Sequence, residues 1–450
     1  MKADHLEIGM CGTFDVENYG DLLFPLIAQA ELSRRLGSVT LHIFSYSAKS
    51  DVKWPFAVRS LTELPRSAGE LDGMLIGGGQ IVRFDKDVAP GYRPSSPDIH
   101  HPTGYWLAPA LMSVQSGVPV AWNAPGASPP FPSWAAPLLN AMLQSSAYVS
   151  VRDPLSREVL LPYAGDTAIE VVPDSAFGIS RVLEAPHGSE RFAKLREVLD
   201  LKGPYIVVHA TRSSADFLDW VRRHTQYFEG YRWVALPVGP INRDSAAGLF
   251  DGIPNTAKLP SWPHPLAIAE LIGAASAVVG VSLHLSITAL AQGVPAFRPQ
   301  DSLKGKYAVL SDFDTVFSLP TGQEIDIAWF LSRLGKKAPS PVIAAATDRL
   351  ARHWDRIAAH ITEGRGARTP RRPLNELNEL YEALRAIFDN RAAGFETQIA
   401  ELTRQLADSH HEISIRNEEI RNLQHSSWRV TERGRCLLRT LRRLRTAKRH

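Results

Sequence analysis

The stretch Val278-Val-Gly-Val-Ser-Leu-His-Leu-Ser-Ile-Thr-Ala-Leu-Ala-Gln-Gly-Val-Pro295 sets the fold class of this chain. The apolar, β-branched run Ala277–Val281 predicts a strand. The alanine-rich run behind it predicts a helix, and Gly293-Val294-Pro295 stops that helix. His284 therefore stands where a strand gives way to a helix. In open α/β sheets, ligands bind outside the carboxyl ends of strands, and helix N-termini there attract anions. That position makes His284 a candidate catalytic residue. The other reading of it is a buried histidine satisfied by a backbone carbonyl.

The same alternation extends in both directions. Upstream, Leu6–Cys11, Val39–Tyr46, Gly73–Ile76, Val118–Asn123, Ala147–Val151 and Ala168–Val172 read as strands, with a helix over Asp21–Leu36. Pro186-His187-Gly188-Ser189 reads as a boundary, after which the pattern restarts. Tyr205–Ala210, Arg232–Val238 and Ala277–Val281 are its strands; Ala215–His224 and Pro265–Gly273 are helices. Short buried strands between amphipathic helices predict mostly parallel sheets covered on both faces. The expected fold is α/β: a first Rossmann-like domain over residues 1–186 and a second over 187–323. A helical section over 324–390 follows, interrupted at Pro339, Pro341 and the run Glu363–Pro373. From Phe395 the pattern changes again. Ile399, Leu406, Ile413 and Ile420 are seven apart, with Leu402 and Leu423 in the second register and Ser409 and Arg416 as polar intrusions. This predicts a short coiled coil over 391–425, hence a homo-oligomer, or else a single helix packed on the body.

A chain of 450 residues is too long for one ordinary domain. Cys11 and Cys436 are its only cysteines, so no disulfide framework is implied and a reducing compartment is expected. Met1–Met10 lacks an apolar signal core. The charge-free stretches His101–Val151 and Leu271–Phe297 are broken by Pro, Gly, Ser and His, so neither resembles the roughly 20 apolar residues that span a bilayer. A cytoplasmic protein is expected. The formal charge of +3 is unevenly spread: Arg429–His450 carries nine Arg or Lys and one acid, +8, which leaves −5 for the remainder. The core is therefore not expected to bind nucleic acid specifically.

Several loops at predicted strand ends carry the chemistry. Gly12-Thr-Phe-Asp-Val-Glu-Asn18-Tyr19-Gly20-Asp21 lies between the first strand and helix, where backbone amides approach a ligand; Asp21 suits an N-cap. No Gly-Lys-Ser/Thr follows, so this is not a phosphate-gripping P-loop. Gly77-Gly78-Gly79 ends the strand Gly73–Ile76, permitting close backbone approach or a tight turn. In Val151-Arg152-Asp153-Pro154, Asp153 fits an N-cap and Pro154 the first helical position. Pro173-Asp174 closes the next strand, with Asp174 placed to face a cleft. His209-Ala-Thr-Arg212 ends the first strand of the second half. Arg212 there is either a surface residue or a bidentate clamp for phosphate or carboxylate. No H-E-x-x-H, paired C-x-x-C or G-x-S-x-G occurs, so no metal site is expected and serine hydrolysis is disfavoured.

Taken in order, G-x(5)-N-x-G-D from Gly12, G-G-G at Gly77–Gly79, V-R-D-x-x-S at Val151–Ser156, P-D at Pro173-Asp174 and S-L-H…A-x-x-x-G-x-P ending at Pro295 resemble the polysaccharide pyruvyl transferase family. The resemblance runs from Gly12 to Pro295. It implies two Rossmann-like halves facing a cleft, as in GT-B glycosyltransferases. It implies phosphoenolpyruvate as co-substrate without another cofactor, and a glycan or lipid-linked saccharide acceptor that receives a pyruvate ketal. His284 would be the acid, with Asp21 or Asp174 as base. Arg212, Ser282, Leu283 and either Lys304 or Lys306 would bind the donor, and Asn18, Gly20 and Gly77–Gly79 would line the acceptor side. Many members have Arg where this chain has Ser282, which removes one expected cation.

The tail has its own resemblance. Ser427-Trp428-Arg429-Val430-Thr431 resembles the segment that ends many bacterial glycan-assembly transferases. Leu437, Leu438, Leu441 and Leu444 alternate with arginines, as in a basic amphipathic helix lying on an anionic membrane surface; nonspecific nucleic-acid contact is the competing reading. Two other functions fit the same sequence. One is a GT-B glycosyltransferase using a nucleotide sugar. The other is a non-catalytic scaffold of the same fold.

Overall fold

The structure is a computed structural model. It describes residues 5–67, 69–85, 101–183, 188–299, 303, 305–319, 324–337, 340–365, 394–395, 397–420, 432–437 and 439. Contacts divide the chain into residues 1–383, which hold both main sheets, and residues 384–450.

The strands of the first half are β1 (Leu6–Cys11), β2 (Val39–Ser45), β3 (Val58–Ser60), β4 (Gly73–Ile76), β5 (Val82–Arg83), β6 (Val120–Trp122), β7 (Ala127–Ser128), β8 (Val149–Val151) and β9 (Ile169–Val171). Five form a parallel sheet in the order β3-β2-β1-β4-β6. A parallel bridge from Ala121 to Tyr148 brings the β8–β9 pair alongside β6. The second half contributes β10 (Tyr205–His209), β11 (Arg232–Leu236), β12 (Thr256–Lys258), β13 (Ala277–Val279), β14 (Ala296–Arg298) and β15 (Val316–Ser318). These form a parallel sheet in the order β12-β11-β10-β13-β14-β15. In each sheet the order reverses direction beside its first strand. That is where a parallel sheet opens a crevice at its carboxyl edge.

Parallel strands need covered faces, and the sequence supplies the cover. Helix α1 (Tyr19–Leu36) follows β1 and buries Leu22, Leu23, Ile27, Ala28 and Leu32. Besides β2 and the 3-10 turn Ser175–Arg181, it packs on α2 (Pro265–Gly273) and α3 (Leu283–Ala291) of the second half, and on α4 (Pro341–Arg365). One apolar core therefore runs through both halves. The long helix α4 closes it with Leu350, Trp354, Ile357 and Ile361, all nearly inaccessible and spaced to share one face. Ile361 rests where a side chain on Gly73 would stand. His353, next to Trp354, is fully enclosed. Its Nδ1 is 3.0 Å from the Tyr148 hydroxyl and its Nε2 is 3.2 Å from Asn123 Oδ1. Burial holds that imidazole down to about 3, so it stays neutral.

The expected strands appear, most of them one or two residues shorter at an end, because pairing stops where the chain turns into a loop. The helix over Asp21–Leu36 begins two residues earlier, at Tyr19, so Asp21 is not its N-cap. Asn18 takes that place: its carbonyl accepts from the Leu22 amide, and its side-chain amide donates to Asp21 Oδ2 at 2.8 Å. Asp153 does cap its helix, accepting from the Ser156 amide at 2.7 Å. The proposed boundary at Pro186-His187, the residues Pro339 and Leu423, the 366–390 part of the helical section, and most of the basic tail lie outside the described residues. That part of the tail includes Ser427–Thr431, Leu438, Leu441 and Leu444. In the second unit, residues 397–420 are helical, and Ile399, Leu402, Leu406, Ile413 and Ile420 are each more than half exposed.

Trp354→Ala removes the largest side chain of the α4 face and opens a void in the core. Its unfolding free energy, from the denaturant midpoint, is expected to fall by about 3–5 kcal/mol.

Candidate active site

A cavity of about 410 Å³ opens where the carboxyl ends of both sheets meet. Its walls are the segments that follow β1, β4, β8, β10, β11 and β13. It is bounded by Thr13, Asn18, Asp21 and Gly79–Ile81 from the first half, and by His209, Val238, Gly239, Ile241, Asn242 and Val281–His284 from the second.

His284 sits in the first turn of α3. Ser282 caps that helix, its Oγ accepting from the Leu285 amide at 3.4 Å. The imidazole is 14 % exposed, and its Nε2 lies 3.6 Å from Asp174 Oδ2. That distance makes the contact an ion pair when the ring is protonated, longer than a full hydrogen bond. Among the described residues Nε2 has no hydrogen-bond partner, and no backbone carbonyl of theirs satisfies that nitrogen. Phe24 meets the ring edge-on at 5.4 Å between centroids. Gly20 lies against Nδ1 so closely that any Cβ there would overlap the ring. Glycine at this position is what allows α1 of the first half to meet α3 of the second.

Two carboxylates flank the imidazole and behave oppositely. Asp174 is almost inaccessible, and its Oδ1 accepts from the Ala176 amide at 3.0 Å. Burial acts to raise its carboxyl. The neighbouring His284, Arg152 at 3.6 Å and the Ala176 amide outweigh burial, so it is held below the usual carboxylate range. Asp21 faces the cavity beside Gly79. Burial pushes it up to about 6 against the opposing pull of His284, Lys306 and Arg152. A carboxyl in that range exchanges protons near neutral pH.

The cations come from two directions. Arg152, at the end of β8, is enclosed and reaches Gln80 Oε1, Asp153 and Asp174 while lining the cavity. Lys306 lines the opposite rim. Its turn is seated by Tyr307, whose ring lies 4.4 Å from the guanidinium of the buried Arg298. Arg298 is in turn fixed by Ser286 Oγ and the Val281 carbonyl, both at 3.1 Å.

Of the residues singled out from sequence, His284, Asp21, Asn18, Gly79, Ser282, Leu283 and Lys306 line the cavity. Asp174 supports it from beneath His284, and Gly20 packs on His284. Gly77 and Gly78 do not line it. They lie over Phe14 and Phe24 and let the strand end pass these rings. Gly79 takes φ +91°, a conformation that favours glycine. Arg212 is exposed and stands outside the lining, while its neighbour Thr211 is part of it. Lys304 lies outside the described residues.

Sequence reading quotes Arg152 and His209 inside motifs without giving either a role, and passes over Gln80 and Asp244. The signal for Arg152 was present: it is the first charged residue after the charge-free stretch that ends at Val151. A cation placed there stands at the mouth of a buried strand. Gln80 and Asp244 are loop residues whose positions only the folded chain reveals. Among the described residues, no three His, Cys, Asp or Glu side chains converge as metal ligands. No described helix is long and apolar enough to cross a membrane.

A cleft between two parallel sheets, holding a shielded imidazole, a carboxyl poised near neutrality and two cations, suits group transfer from an anionic donor. The sequence profile of the polysaccharide pyruvyl transferase family matches residues 18–298, and the chain belongs to that enzyme family. No curated protein matches the sequence. Three solved structures show distant likeness. The UDP-GlcNAc 2-epimerase of Methanocaldococcus jannaschii is 10% identical, with a TM-score of 0.48 over 75% of this chain and 94% of its own. The UDP-GlcNAc 2-epimerase of Neisseria meningitidis, bound to UDP-GlcNAc, is 12% identical, with a TM-score of 0.47 over 79% and 99%. An E. coli heptosyltransferase with ADP-2-deoxy-2-fluoro heptose is 13% identical, with a TM-score of 0.33 over 77% and 99%. Likeness this distant carries no argument about activity.

The raised Asp21 has a consequence for stability. In the unfolded chain it ionises near the ordinary aspartate value of 3.8, in the fold near 6. Between those values the unfolded state has released a proton that the folded state keeps. Asp21 therefore costs stability fully above about pH 6, and not at all below the unfolded value. Asp21→Asn is expected to melt higher than the wild type at pH 8. The advantage should shrink through the window between those two values and vanish below it, as thermal melts across pH will show.

Proposed function

We propose that this protein transfers the pyruvyl group of phosphoenolpyruvate to two hydroxyls of a glycan sugar, forming a pyruvate ketal during surface-glycan or exopolysaccharide assembly. The observation that carries the reading is the placement of His284. It is an imidazole at a helix N-terminus, backed by Asp174, shielded by Gly20 and Phe24, and facing a cavity that also presents Arg152 and Lys306.

Phosphoenolpyruvate brings a phosphate and a carboxylate. Arg152 and Lys306 supply charge to hold them, and the N-terminus of α3 at Ser282–His284 offers backbone amides to the same anion. Ser282 caps the helix, so this end is fully formed without an arginine at that position. The first chemical step adds a proton from the His284 imidazolium to the methylene carbon of the donor. The double-bond electrons form the new C–H bond, and C2 becomes electrophilic. A sugar hydroxyl adds to C2, and Asp21 accepts its proton. Asp174 lies against Nε2 and keeps the ring oriented. Asn18 and Gly79 sit on the Asp21 side, where the acceptor would lie.

The reading extends to the cellular setting. The heptad-spaced apolar residues of 397–420 stand exposed, which supports pairing with another copy through a coiled coil. The +8 tail supports a cytoplasmic protein held at the inner membrane face, near lipid-linked acceptors.

Ligand-observed NMR with phosphoenolpyruvate and a panel of nucleotide sugars tests the donor. Arg152→Ala is expected to weaken phosphoenolpyruvate binding at least about tenfold, the loss of a charge-assisted contact. Arg212→Ala should leave it within about twofold, since a contact not made costs little. His284→Ala should retain binding while turnover falls by about 100-fold or more. Binding of nucleotide sugars alone, or unchanged turnover in His284→Ala, would overturn the reading.

A further inference from the structure

Ketal formation moves two protons, and the residues assigned above handle only one of these transfers. The first hydroxyl releases a proton while the methylene carbon gains one. The second hydroxyl must also lose a proton, and the departing phosphate must gain one, because it leaves with the electron pair of its C–O bond.

The cavity holds a second imidazole–carboxylate pair. His209 is the last residue of β10, and its side chain folds over Gly280 at the end of β13, where a Cβ would collide with it. His209 Nε2 lies 2.7 Å from Asp244 Oδ2. The same oxygen accepts from the Gly239 amide at 2.8 Å. Asp244 is thus the acceptor in both contacts, and Nε2 carries the hydrogen. The lone pair of a neutral ring is then on Nδ1. That nitrogen is enclosed and has no hydrogen-bond partner among the described residues. An enclosed polar atom left unmatched costs stability, and such atoms in native proteins are often kept for a role. Both His209 and Asp244 line the cavity that contains His284; His209 comes from the strand end beside β13, and Asp244 from the loop after β11. A carboxylate that fixes the ring's tautomer and orientation is the arrangement a proton-transfer histidine needs.

We propose that His209, held by Asp244, is the second proton-transfer residue of the reaction. This rests on the pyruvyl-transfer reading. In the second step the remaining sugar hydroxyl forms its bond to C2, and the C2–O bond to phosphate breaks with its electron pair going to the phosphate oxygen. The hydroxyl proton passes to Nδ1 of His209 and from there to the departing phosphate. No other reactant is needed. His284 and His209 thereby divide the reaction: His284 serves addition, and His209 serves departure of phosphate. Asp244 acts through His209 and is a positioning residue.

The test follows the two halves separately in heavy water, with phosphoenolpyruvate and a panel of methyl hexopyranosides. Deuterium entering the donor-derived methylene or methyl carbon reports addition, and free phosphate reports departure. In His209→Gln the side-chain amide can still donate to Asp244, but it cannot take up the proton. Deuterium entry is expected to stay within about threefold of wild type, while phosphate release falls about 100-fold, the usual weight of a general acid–base group. Asp244→Asn keeps an acceptor for both hydrogen bonds and removes the charge; phosphate release should fall about tenfold with deuterium entry retained. Thermal melts check that both variants fold, and the Asn variant carries the test if the Gln variant does not. Phosphate release near the wild-type rate in folded variants would overturn the assignment, as would equal loss of both signals. If the wild type itself shows neither signal, the pyruvyl-transfer reading fails and this inference falls with it.

Discussion

The site depends on one close approach: the backbone of Gly20 against the imidazole of His284. The two residues belong to helices that follow the first strand of one sheet and the fourth strand, β13, of the other. They meet because neither a Cβ nor a loop intervenes. Around this contact the two halves are tied by directional bonds. The Tyr19 hydroxyl meets that of Thr288 at 2.8 Å, and the Tyr19 amide donates to the Val238 carbonyl at 2.9 Å. Asp174 reaches His284 from the end of the first half's last strand. The apolar core continues beneath these contacts from one sheet to the other. The cavity is therefore a rigidly framed seam, the kind of support that holds reacting groups in place.

Electrostatics then assigns different work to similar residues. Asp174 and Asp21 flank the same imidazole. Asp174 is surrounded by donors and kept ionised; Asp21 is mainly desolvated and brought near neutrality. Pairs of groups driven apart in this way mark acid–base sites. The two histidines divide similarly. His284 sits at a helix N-terminus with its Nε2 directed at Asp174, whereas His209 is bound tightly through Nε2 to Asp244.

Much of this was legible in the sequence. Alternating strands and helices announced two parallel sheets, and the strand–His284–helix junction placed that residue at the cleft. What escaped was set by long-range contacts. Asp21 reads as a cap because it precedes an apolar run, but Tyr19 enters the helix early through its bond to Val238, more than 200 residues away in the chain. Arg212 and Arg152 both follow strand ends. Apart from the long charge-free run before Arg152, nothing local distinguishes the one that turns outward from the one buried between Gln80 and Asp174. Gly77 and Gly78 look like ligand-facing glycines and serve instead to clear Phe14 and Phe24. The short strands β12 and β15 carry too few residues to show a period, and only the completed sheet reveals them.

The most direct test of the account is product analysis from heavy water. The protein would be incubated with phosphoenolpyruvate and a lipid-linked or free glycan bearing a diol, and the glycan examined by mass spectrometry and NMR. The account predicts a pyruvate ketal whose methyl group carries one deuterium, delivered through His284, with one phosphate released per ketal. A glycan left unmodified, or modified by a sugar instead, would contradict it.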